Sequence, residues 1–127
     1  MTLAHLTIAT RDSAATTQFL QHVFRWPLVR RPANVDETTY WLDIGQGQQV
    51  HVLQVEGFQV SPYEQEFGRH FAFLFPAAEL VQIKQRLAEC RIEIISPIRP
   101  TPFDRFFFTD PNGYMFEVID RDAFVME

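Results

Sequence analysis

A single cysteine, Cys90, is all the chain has, which rules out an intrachain disulfide and a cysteine-rich zinc site. Any metal must therefore be held by histidine and carboxylate. Long hydrophobic runs are missing too. Each apolar stretch is broken after a few residues by Pro, Glu or Arg, well short of the ~18 to 20 residues that span a bilayer, so no membrane partner is expected. The opening Met1-Thr2-Leu3-Ala4-His5-Leu6-Thr7-Ile8 has no basic leader, long apolar region or small-residue cleavage site, and a cytoplasmic location is expected. Positive charge is scarce: 11 Lys and Arg stand against 16 Asp and Glu, for a net charge of −5. That balance excludes generic binding of nucleic acid, which needs a basic surface to displace counterions. Arg30 and Arg31 make a pair, not a patch.

What is present is the composition of an ordinary globular protein: 127 residues, 46% hydrophobic and 21% charged, enough for one hydrophobic core. Leu3 to Ala9 reads as a strand, and Asp12 or Ser13 offers an N-cap for a helix over Ala14 to Phe24, whose apolar stripe is Phe19, Leu20, Val23 and Phe24. Strand-like runs follow at Leu28 to Arg31, Thr38 to Ile44 and Gln49 to Val55, the last two joined by a Gly45-Gln46-Gly47-Gln48 turn. After a loop from Glu56 to Arg69 the series restarts. It has a strand at His70 to Phe75, a helix over Ala77 to Arg91 with Leu80, Ile83, Leu87 and Cys90 inward, and strands at Ile92 to Ser96, Arg105 to Thr109 and Tyr114 to Ile119. Pro97, Pro100 and Pro102 must bend the chain between the last three.

The expected fold class is therefore α+β: one domain over 1–127, built from two βαβββ modules at about 1–56 and 70–120 that form a cupped mixed sheet. The modules superpose in sequence. A shift of 66 sets Trp41-Leu42 on Phe107-Phe108, Gly45-Gln46-Gly47 on Pro111-Asn112-Gly113, and His51 on Glu117, while a shift of 65 sets His5 on His70.

Those last pairs carry the chemistry. His5, His51, His70 and Glu117 are all metal-ligand types at matched places, and strand alternation puts residues two apart on one face. Leu6, Ile8, Val50, Val52, Phe71, Phe73, Phe75, Phe116 and Val118 take the opposite faces and suit the helical stripes. The four candidates thus point to the other side, where a curved sheet forms a cup. A lone strand histidine is ordinarily a half-buried side chain with one hydrogen bond; four such groups at repeat-equivalent positions point instead to a metal site. Imidazoles with one carboxylate suit a divalent transition metal (Zn, Ni, Co, Fe or Mn), and not Ca or Mg, which prefer oxygen shells. His22, mid-helix and without a counterpart, stays outside the set. Trp26, Tyr40, Trp41, Phe67 and Phe103 are candidate pocket aromatics, although such residues are more often core. Arg99 and Arg105 read as solvated loop charges, the alternative being that they hold an anionic substrate group.

The His5-Leu6-Thr7-Ile8 opening, Phe24-Arg25-Trp26-Pro27-Leu28, His70-Phe71-Ala72-Phe73, and Asp110-Pro111-Asn112-Gly113-Tyr114 followed by Phe116-Glu117-Val118-Ile119 resemble the glyoxalase, bleomycin-resistance and extradiol-dioxygenase superfamily, the vicinal oxygen chelate proteins. The resemblance spans nearly the whole chain. It implies two βαβββ modules cupped around a divalent metal, commonly in a homodimer, with ligands at His5, His70 and Glu117. His51 falls where glyoxalase I typically has glutamate, so only one ligand here is a carboxylate. The implied function is a glyoxalase-like, metal-dependent enzyme of the lyase or isomerase type. Its small-molecule substrate would chelate the ion through adjacent oxygens, with Glu117 as the catalytic base. Two alternatives remain: an Fe(II) extradiol-type dioxygenase, and a metal-free protein that sequesters a bulky cation as the bleomycin-binding branch does.

Overall fold

The computed structural model describes residues 1–126, which separate into two compact units, Met1–Gln59 and the described chain from Val60 onward. No helix among the described residues is long and apolar enough to cross a membrane. The architecture is α+β, with one four-stranded and one three-stranded sheet.

The first unit runs β1 (His5–Thr10), α1 (Ser13–Phe24), β2 (Leu28–Val29), β3 (Tyr40–Gly45) and β4 (Gln48–Gln54), in sheet order β1-β4-β3-β2. Asp12 is the helix N-cap, its carboxylate accepting from the Ala15 amide at 3.0 Å, and Arg25 closes the other end in the left-handed conformation. Between β3 and β4 the central turn residues Gln46 and Gly47 both have positive φ, which matches the twist of a tight hairpin. β1 pairs parallel to β4, and β3 antiparallel to it. Leu20, Val23 and Phe24 of α1 are buried with Leu42 and with Ile8, Val50 and Val52 of the sheet, the last three on the faces assigned by alternation.

The second unit runs β5 (Phe71–Phe75), α2 (Ala77–Glu89), β6 (Arg105–Thr109) and β7 (Met115–Asp120), in sheet order β5-β7-β6. The strand expected at Ile92 to Ser96 is only an isolated bridge, Ile95 to Phe107. β-branched composition favours extension, but the prolines that follow remove ladder donors, and only Ile95 hydrogen-bonds to β6. Cys90 is half-buried at the end of α2 rather than packed in the core, because the helix stops one residue before it. The α2 start lacks a local cap. Asp122, 45 residues onward, accepts from the Ala77 amide at 3.0 Å.

The repeat seen in sequence reappears in the pairing. Trp41 lies directly opposite His51 across β3 and β4, as Phe107 lies opposite Glu117 across β6 and β7. Thr7 pairs with His51 and Ala72 with Glu117, so both opening strands run in the same register against their partners.

The Asp110-Pro111-Asn112-Gly113 segment is a turn built by its own side chain. Asp110 Oδ1 accepts from the amides of Asn112 (3.0 Å) and Tyr114 (2.8 Å), and Oδ2 from Asn112 Nδ2 (3.0 Å). Gly113 has φ +102, and a Cβ there would lie 2.9 Å from Val60 Cγ2. The motif that most strongly marks the resemblance thus has a local account in the turn's own hydrogen bonds and in the glycine conformation.

Candidate functional site

In the first unit, His5 and His51 meet on the face opposite the helix. Their rings stack with centroids 4.0 Å apart and planes 12° from parallel, and Trp41 stacks on the other side of His51 at 4.3 Å and 7°. Trp41 and His51 are directly opposite in the antiparallel pair, which puts them on one face and brings their rings together. Gln49 Oε1 lies 2.8 Å from His51 Nε2. With that oxygen accepting, Nε2 carries the proton and Nδ1 keeps its lone pair. Burial between two rings lowers the His51 pKa from its usual value, and the nearby His5 charge adds to the effect.

In the second unit, His70 sits immediately before β5, and its Nε2 is 3.1 Å from Glu117 Oε1. Its Nδ1 lies 3.3 Å from the Gln65 carbonyl oxygen, and its ring meets the buried Phe107 edge-on at 5.2 Å. Glu117 is buried in mid-strand and its other oxygen, Oε2, accepts from Arg105 Nη1 at 3.0 Å.

Arg105 corrects the sequence reading. It is a strand residue with its side chain 3% exposed, not a solvated loop charge. Two residues before Phe107 on β6, it shares the face of Phe107 and Glu117. Nη2 donates to Glu66 Oε2 at 3.1 Å and to the Arg99 carbonyl. Glu66 also accepts from the amides of Ile98 (2.7 Å) and Arg99 (2.9 Å). Burial alone would raise the Glu66 pKa, but these amides and the Arg105 guanidinium together hold it below the usual value. Nearby, Glu64 accepts from the Met115 amide at 2.9 Å and from Arg69 at 3.0 Å. Sequence reasoning missed Glu64 and Glu66, whose loop carries no periodicity to orient them. Of the candidate pocket aromatics, Trp41 alone stacks on a candidate ligand; Trp26 and Phe103 are buried, against Phe24 and Phe124 respectively, and Phe67 is exposed.

The donor chemistry suits a divalent transition metal. Two donors about 2.1 Å from one ion at a right angle are about 3 Å apart, the separation found between His70 Nε2 and Glu117 Oε1. The His5 and His51 rings lie in nearly parallel planes, so one must turn before both lone pairs can point at a common ion. Within either unit, among the described residues, no three His, Cys, Asp or Glu side chains form a group that could hold a metal by themselves.

A family model for the Glyoxalase/Bleomycin resistance protein/Dioxygenase superfamily matches residues 2–118. The chain belongs to this superfamily. Solved structures of similar fold include the fosfomycin resistance protein FosX from Mesorhizobium loti, 23% identical, covering 94% of this chain and 91% of its own, with a TM-score of 0.70. The oxidase ChaP-H2 is 22% identical, covers 95% and 94%, and has a TM-score of 0.74. A mutant FosX from Listeria monocytogenes, complexed with Mn(II) and 1S,2S-dihydroxypropylphosphonic acid, is 22% identical, covers 93% and 88%, and has a TM-score of 0.70. No curated protein matches the chain significantly. At these identities the superfamily likeness carries the α+β architecture, and the chemistry must be argued from the side chains.

Proposed function

We propose that this superfamily member is a metal-dependent enzyme of the lyase or isomerase type, acting on a small substrate through two adjacent oxygens. His5, His51, His70 and Glu117 serve as metal ligands, and the protein works as a homodimer, as the superfamily resemblance implies. The observation that carries the reading is the His70–Glu117 contact. When Nδ1–H is donated to the Gln65 carbonyl, Nε2 and Glu117 Oε1 are two lone-pair donors facing each other at 3.1 Å. Without metal, a proton on Nε2 joins the pair as an ordinary N–H···O hydrogen bond; a divalent ion can take that proton's place, and both groups are the right ligand types for it.

The chemistry a bound ion supplies is Lewis acidity toward the two substrate oxygens. The protein's own groups do the rest. Arg105 fixes one Glu117 oxygen and leaves Oε1 toward His70; that oxygen acts as the base, taking a proton from a carbon beside the chelating oxygens, once it has left the ion. Phe107 and Trp41 present apolar faces beside the ligands and limit water there. The Listeria FosX complex supports the reading in kind, since it pairs Mn(II) with a small compound bearing adjacent hydroxyls.

The test is elemental analysis of protein purified without chelator, followed by titration with Mn(II), Fe(II), Co(II), Ni(II) and Zn(II). About one ion per chain is expected, with His51→Ala and Glu117→Gln each weakening binding at least tenfold. Uptake should fall away below about pH 6, because imidazole must be neutral to ligate. No binding after reconstitution, or unaltered affinity in both variants, overturns the ligand set. Oxygen consumption with catechols in Fe(II)-loaded protein would replace the isomerase reading with a dioxygenase.

A further inference from the structure

Arg105 is a fully enclosed cation, and its place in the second unit needs a reason. A buried guanidinium is costly unless its charge and its donors are met. Nη1 meets Glu117 Oε2, Nη2 meets Glu66 Oε2 and the Arg99 carbonyl, and Nε has no hydrogen-bond partner. The guanidinium therefore bridges two carboxylates that come from distant stretches of chain. Two consequences follow from that geometry.

The first concerns direction. A planar guanidinium fixes the carboxylate it binds far more strictly than a point charge does. With Oε2 tied to Arg105, the remaining Glu117 oxygen is held 3.1 Å from His70 Nε2. The second concerns charge. Alone, Arg105 would cancel the charge of Glu117 and weaken its pull on a cation. Glu66, on the other guanidinium nitrogen, restores a net charge of −1 to the trio of two carboxylates and one guanidinium. Glu66 is itself anchored by the Ile98 and Arg99 amides, so the offset is built into the loop backbone.

We infer that Arg105 is a positioning residue for Glu117, aiming its free oxygen toward His70, and that Glu66 keeps this from neutralising the ligand. The inference rests on the reading of His70 and Glu117 as metal ligands. It extends the site to a pair of residues that bear no metal-ligand pattern in sequence.

The experiment is Co(II) titration of the intact protein, followed by the dissociation constant and by the visible d–d absorption of the loaded form, with melting of the metal-free form in parallel. Arg105→Lys keeps a charge but loses the fork, and should weaken Co(II) binding about 10- to 100-fold, the usual effect of losing an outer-sphere partner. Its d–d bands at saturating metal should also change, which a merely structural role would not produce. Glu66→Gln leaves Arg105 with Glu117 as its only carboxylate partner and should weaken binding several-fold; this variant serves if Arg105→Lys does not fold. Wild-type protein that binds no Co(II) refutes the ligand reading and the inference with it. Binding by wild type, with affinity and spectrum unchanged or affinity increased in the variants, refutes the inference alone.

Discussion

Replacing Asp110 with alanine removes three hydrogen bonds from one buried turn, and the structure says which of them matters most. Asn112 is half-exposed, so its amide and side chain can turn to water at about 0.5–1 kcal/mol. The Tyr114 amide has no such recourse. Tyr114 is buried, and its N–H is left facing a methyl group, at about 1–3 kcal/mol. Burial of Asp110, 3% exposed, outweighs the hydrogen bonds and raises its pKa above the usual carboxylate value, so alanine also relieves part of a desolvation cost. The expected net loss is about 2–3 kcal/mol, a large share of the roughly 5–15 kcal/mol of a typical domain. At about 1–3 kcal/mol per molar urea this lowers the midpoint by about 0.7–3 M, with an unchanged slope. Asp110→Asn keeps Oδ1 for both amides and should lose less than half as much. Because the raised pKa lets the native state take up a proton before the unfolded one, the gap between wild type and the alanine variant should widen as pH falls through the native pKa toward 3.8. Metal affinity of the folded variant should stay within about twofold of wild type. A loss under about 1 kcal/mol would refute the motif's reading as a turn, and intact stability with collapsed metal binding would assign it to the chemistry instead.

Gly113→Ala should cost about 1–3 kcal/mol in chemical denaturation, from strain at φ +102 and from a Cβ 2.9 Å from Val60 Cγ2. Adding Val60→Ala should recover only the steric part. For His51, burial and then the His5 charge hold the native pKa below 6.5, so the unfolded state takes up a proton first. Stability from this group is complete above pH 6.5 and is lost as pH falls through the native pKa. Thermal melts should thus show a steeper decline below pH 6.5 in wild type than in His51→Gln, and parallel pH profiles would refute the assignment.

Much of the fold was legible because strands and helices leave local periods in the chain. β6 at Arg105–Thr109 matches its expected bounds, and the helix-facing residues Ile8, Val50, Val52, Phe116 and Val118 are buried or nearly so. The turn at Gln46-Gly47 and the matched registers of His51 and Glu117 were also visible, since both follow from spacing. The Ile92 to Ser96 strand failed because β propensity says nothing about whether a neighbouring edge is available for pairing. Only Ile95 found one. Likewise Cys90 fitted a helical stripe that the helix left one residue short.

Alternation, being a property of consecutive residues, determined from sequence alone which side chains of a strand share a face, and so set His5, His51, His70 and Glu117 opposite the helix-facing residues as candidates. Tertiary structure decided which groups on those faces touch and what surrounds them. Arg105 and Glu66 are 39 residues apart, and no local pattern joins a loop carboxylate to a strand guanidinium. Their pairing exists because a cation buried by the sheet must find its countercharge wherever the folded backbone brings one within reach.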